Sequence, residues 1–101
     1  MQRRLSKEES RRRYAEGRKL WNEFDPIGVA HAVDDEYEGY VGPCLRIVEG
    51  GGRKDELIAY VSDTVFEYMG LSHSALLEKG IAEFSRKFSD WYRSHWADTV
   101  V

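Results

Sequence analysis

Six carboxylates fall between residues 23 and 38: Glu23, Asp25, Asp34, Asp35, Glu36 and Glu38. Paired carboxylates can do general acid–base work or hold a hard cation. Their spacing fits no calcium loop, because the D-x-D-x-D-G series with a terminal glutamate is missing. At a helix start the same residues serve as a cap, first-turn charges and a solvated face. Those structural roles stand ahead of metal binding and catalysis. Recognition of a basic partner surface also ranks above catalysis, with Asp35, Glu36, Glu38, Tyr37 and Tyr40 as the partner-facing set.

The other reactive side chains are scattered. His31, His73 and His95 form no i, i+4 pair, so a zinc site is not expected. His31 suits a polar contact with Asp34 or Asp35 across a turn. Cys44 is the only cysteine, which excludes an intramolecular disulfide, and it falls on an apolar helix face. Gly50-Gly51-Gly52-Arg53-Lys54 lacks the spacing of a phosphate loop and reads as a linker. Trp91, Tyr92 and Trp96 could stack on bases, but only Arg86, Lys87 and Arg93 accompany them, so core packing or a dimer face suits them better. No catalytic residue, metal or cofactor is expected.

Positioning these groups falls to a short chain of 101 residues, enough for one domain over 1–101 with one core and frayed ends at 1–5. The net charge of −3 is uneven: residues 1–20 carry +5 and residues 21–101 carry −8. A basic arm on an acidic body either packs on that body or binds nucleic acid. Packing is favoured, because the body would repel the same phosphates. There is no apolar run long enough for a membrane span and no apolar stretch behind the first basic residues, so a cytoplasmic location is expected.

Ser6-Lys7-Glu8-Glu9 fits a capping box, opening a helix to about Glu23. Its anchors are Tyr14, Leu20, Trp21 and Phe24, with Gly17 one turn before Trp21, while Arg11, Arg12 and Arg13 project into solvent. Asp25-Pro26 stops it, and a loop to about Val33 presses on the core. Asp34 or Asp35 caps a second helix, kinked at Pro43 and ended by Gly50-Gly51-Gly52. A third spans about Lys54 to Met69 with the stripe Leu57, Ile58, Val61, Val65, Tyr68 and Met69, closed by Gly70. A fourth spans roughly 74–96, capped by Ser72 or Ser74, with a seam of Leu77, Ile81, Phe84, Phe88, Trp91 and His95. Tyr37, Val41, Leu45, Val61, Val65, Ile81, Phe84 and Phe88 then share one core, with no sheet. The fold class is all-α, a small four-helix domain with an ordered loop between helices 1 and 2.

The spacing Trp21, Asp25, Pro26, Gly28, Asp35, Glu36, Tyr37 and Tyr40, followed by Tyr68-Met69-Gly70-Leu71, resembles a family of small bacterial proteins with a W-x-x-x-D-P-x-G segment before D-E-Y-D. The resemblance covers roughly residues 18–72. Glu38 stands where that family often has Asp, and the basic N-terminal segment departs from it. It implies an all-α fold and a bacterial cytosolic source, and some relatives look like immunity-type proteins of toxin systems.

These observations favour a non-enzymatic protein-binding module, immunity- or antitoxin-like, as a monomer or homodimer with a protein partner. A nucleic-acid-associated regulator using the basic first helix comes second. A metal-assisted enzyme using the carboxylates comes third.

Overall fold

The first helix opens as its sequence dictates. The Ser6 hydroxyl accepts from the Glu9 N–H at 3.1 Å, and the Glu9 carboxylate accepts from the Ser6 N–H at 3.1 Å. Two orphan donors of the first turn are thereby satisfied. The computed structural model describes residues 3–28, 36–51, 54–97 and 99–100. Its helices are α1 (Lys7–Phe24), α2 (Glu38–Glu49), α3 (Lys54–Ser62) with a π-helical continuation over Asp63–Tyr68, and α4 (Ala75–His95). α4 packs on α1 and α3, and α2 packs on both of those as well. All eight side chains named for a common core lie in one buried cluster, joined by Trp21, Cys44, Leu57, Tyr92 and Trp96. The protein is a small all-α domain. Among the described residues, no helix is long and apolar enough to cross a membrane.

The ends of the domain differ from expectation. Arg3–Arg4 (β1) pairs in parallel with Thr99–Val100 (β2), and Leu5 packs against the core. This two-residue pairing falls where the sequence pattern announced no element, and it leaves the all-α class unchanged. The backbone groups gain partners there that no side-chain pattern announces.

α1 buries Arg13, Gly17 and Trp21, one residue per turn, and leaves Tyr14 at 40% exposure. Projection of all three arginines into solvent is thus wrong for Arg13, which is 3% exposed and ion-paired with Glu49. The stripe runs through Gly17 because α2 comes very close. A Cβ there would lie 2.8 Å from Val41 Cγ1.

α2 begins at Glu38 with Tyr37 in the cap position and no side-chain cap bond. Asp34 and Asp35, expected to cap this helix, lie outside the described residues, as do His31 and the loop beyond Gly28. The helix passes through Pro43 as one element. It ends at Gly50, and Gly51 takes a positive φ of 76°.

α3 changes its winding halfway. The Thr64 hydroxyl donates to the Tyr60 carbonyl at 2.9 Å, and the Met69 N–H reaches back five residues to Thr64 at 2.8 Å. A π-helical turn rotates less per residue than an α-helix, so a side chain after it lags the stripe before it. Val65 stays in the core, but Tyr68 emerges at 79% exposure, which corrects its place on the buried stripe. Gly70 closes the turn at φ 72°, as expected.

In α4, Ser74 is the cap, accepting from the Leu77 N–H at 3.1 Å. The seam holds from Ile81 through Phe88. It then passes to Tyr92 and Trp96, and His95 is exposed, its Nδ1 3.0 Å from the Trp91 carbonyl oxygen. A four-residue step overshoots the 3.6-residue turn only slightly, and α1 lies on the side where Trp96 falls.

Candidate interaction surface

The site is anchored by the turn after α1. Proline disfavours the right-handed α region for the residue before it, so Asp25 leaves the helix at φ 46°, ψ 59°. Its N–H still bonds the Trp21 carbonyl at 2.8 Å, and its own carbonyl accepts from the Gly28 N–H at 3.1 Å. Asp25-Pro26-Ile27-Gly28 is therefore a β-turn with proline and glycine where such a turn wants them. Gly28 itself has φ 72°.

This turn holds Tyr37. The Tyr37 hydroxyl donates to Asp25 Oδ1 at 2.6 Å and accepts from the Ile27 N–H at 3.1 Å. Burial, then the hydrogen bond to Asp25, pushes its pKa well above the ordinary tyrosine value, so the neutral donor persists. The ring stacks on Trp21 at 5.6 Å and 22°. Trp21 is fully buried and also meets Phe24, Tyr40 and Phe84 at 4.7–5.8 Å. Trp21, Asp25, Pro26 and Gly28 thus act as a structural latch. Tyr37 belongs to that latch, and its place in the partner-facing set is corrected because none of its surface reaches solvent.

The rest of that set divides. Glu36 is exposed just before α2, and the Glu38 side chain is 62% exposed with its carboxylate 3.9 Å from Arg18. Tyr40 is half-buried, its ring 6.1 Å from that of Tyr68 in an edge-on arrangement. Burial and then the neighbouring Tyr68 and Glu36 raise the Tyr40 pKa. Asp35 lies outside the described residues. Tyr68 is the surface residue that sequence reasoning missed. Its only signal was Thr64 four residues earlier, since threonine can bond back to the helix backbone.

Among the described residues, the carboxylates do not converge. Asp25 faces Tyr37, Glu23 and Glu36 are exposed, and Glu38 faces Arg18. Among the described residues, no group of three or more His, Cys, Asp or Glu could hold a metal ion. Cys44 is buried beside Trp21, and burial pushes its thiol up to about 12.

Two further polar centres sit on α1. Glu16 Oε1 accepts from both the Trp91 and the Trp96 indole N–H, at 2.9 and 3.2 Å. Arg12 lies 3.7 Å from the other oxygen and 5.1 Å above the Trp96 ring. Arg13 joins Glu49 and sits 6.0 Å from the Tyr92 ring. The aromatic C-terminal end of α4 is therefore spent on α1, which supports core packing for Trp91, Tyr92 and Trp96.

No protein-family model, curated protein or solved structure matches this chain.

Proposed function

We propose that this chain is a non-enzymatic protein-binding module of the cytoplasm, with a surface of Glu36, Tyr40 and Tyr68 that receives a basic segment of a partner protein. Glu38 and Asp35 belong to the same acidic set in the sequence, and Glu38 turns toward Arg18. The observation that carries this is Tyr68, an aromatic ring 79% exposed and set edge-on to Tyr40. Tyrosine is enriched at protein interfaces because it brings a large contact area at low entropic cost. The π-helical turn that turns it outward is a feature common at functional sites. Ring faces beside carboxylates suit a lysine or arginine, through cation–π contact and charge-assisted hydrogen bonds. Residues 18–72 resemble a family of small bacterial proteins, some of whose relatives look immunity-like, and that resemblance is in keeping with an acidic protein that meets a basic partner.

The test is an amide NMR titration with a Lys/Arg-rich peptide. The largest shifts are expected at Glu36, Tyr40 and Tyr68, and they disappear in the variant Glu36→Lys with Tyr68→Ala. Shifts spread evenly over all acidic positions would sink the proposal.

A further inference from the structure

The cations of α1 fall on two sides of the helix. Arg12 and Arg13 turn to Glu16, Trp96 and Glu49. Lys7, Arg11 and Arg18 instead line a groove of about 490 Å³ together with Ser10, Tyr14, Ala15 and Glu38. Beside Tyr14 lies Gly42 of α2, where a Cβ would lie 3.1 Å from the Tyr14 hydroxyl and 3.5 Å from an Arg46 guanidinium nitrogen. The bare backbone at Gly42 thus lets Tyr14 and Arg46 share one spot. Among the described residues, no carboxylate pairs with Lys7, Arg11 or Arg46, and Glu38 reaches only Arg18, at 3.9 Å.

We propose that this groove binds a short single-stranded nucleic acid, with backbone phosphates on Lys7, Arg11, Arg18 and Arg46 and a base against the Tyr14 ring. Lys7 to Arg18 spans roughly 17 Å at the helical rise, room for a few nucleotides. Guanidinium forks match phosphate oxygens. They also match carboxylates, so the decision against an acidic peptide rests on Tyr14. Its ring is 40% exposed in the middle of the cations, and every base, unlike a carboxylate side chain, offers a π-face to it. The decision against a duplex rests on the acidic remainder of the chain, −8 over residues 21–101, which a second strand would have to approach. The groove is separate from the Tyr40–Tyr68 surface. Tyr40 is two residues from both Glu38 and Gly42, about 200° around α2 from each.

Fluorescence anisotropy tests this with a labelled oligothymidylate, the same strand annealed to its complement, and an oligoglutamate peptide of equal charge. The single strand is expected to bind, with affinity falling with salt by about 0.7 log units per log unit for each phosphate engaged. Arg11→Glu with Arg46→Glu should weaken binding at least tenfold and flatten the salt dependence. Tyr14→Ala should weaken it several-fold at unchanged salt dependence, and Tyr14→Phe should retain it. Lys19→Glu with Lys87→Glu makes the same charge change at exposed positions outside the groove and should leave affinity within twofold. Circular dichroism confirms folding of each variant. Failure of the single strand to bind at low salt, equal affinity for the duplex or the oligoglutamate, or a matching loss in the Lys19/Lys87 variant would each overturn the proposal.

Discussion

Near its C-terminal end α1 is tied to the start of α2 through Asp25 and Tyr37, and near its middle it is tied to the end of α2 through Arg13 and Glu49. The first tie is a hydroxyl donating to a carboxylate inside a turn, supported by a stack of rings around Trp21. The second is an ion pair with its guanidinium buried, against the face of Tyr92. Removing a neutral hydroxyl leaves a carboxylate that can still find other donors. Removing one member of a buried ion pair strands the other charge. The first tie therefore degrades gradually, and the second fails as a unit.

Trp21→Ala attacks the ring stack behind the first tie and should have the largest effect, about 3–5 kcal/mol in urea denaturation. Little change in the unfolding midpoint would show that the latch is not built on Trp21. Arg13→Ala should cost about 2–4 kcal/mol, below the full loss for a buried pair because Glu49 keeps 21% exposure. Arg13→Met with Glu49→Leu should recover most of it. If the double variant is as unstable as the single one, the tie is packing rather than charge.

Tyr37→Phe should cost less, about 1–2 kcal/mol, for two lost hydrogen bonds. A raised tyrosine pKa stabilises the fold below the unfolded value of 10.0 and loses that contribution as pH rises toward the folded one. Wild type should therefore lose stability above about pH 10, and Tyr37→Phe should show a shallower fall. Cys44 obeys the same sign, from an ordinary 9.0 to about 12. Its thiol should resist labelling at neutral pH and react only when denaturant opens the core; rapid labelling of folded protein would contradict its burial. The smallest effect belongs to Glu36→Lys with Glu38→Lys, within about 0.5 kcal/mol, since exposed charges contribute little to stability. A larger loss would make the acidic start of α2 part of the scaffold.

The two ties also differ in how far they could be read from residue order. The first is announced locally. Asp25-Pro26-Ile27-Gly28 carries its turn chemistry in four consecutive residues, and Trp21 precedes it by one helical turn. The second joins positions far apart in the chain, and Arg13 stands within a triple arginine where nothing distinguishes it from Arg11 or Arg12. Only the closeness of α1 to α2, set by Gly17 against Val41, selects Arg13 for burial. The interaction surface divides in the same way. Glu36 and Glu38 were legible as exposed acids at the start of α2. Tyr37 was legible as a core ring from its spacing with Val41 and Leu45, but not as the donor to Asp25, because helical spacing says nothing of a turn twelve residues upstream.

By itself the sequence determined the elements whose causes are local. These are the Ser6–Glu9 box, the stop at Asp25-Pro26, the glycines that close α2 and α3, a serine cap at Ser72 or Ser74, and the apolar spacing that makes one all-α core. Tertiary structure alone decided the pairing of Arg3–Arg4 with Thr99–Val100, the inward turn of Arg13, the convergence of two indoles on Glu16, and the emergence of Tyr68. Tyr68 follows the change of winding at Thr64, and the other three share one physical reason. Each depends on which distant backbone or side chain arrives at a given place, and helical periodicity specifies a face without naming what that face will meet.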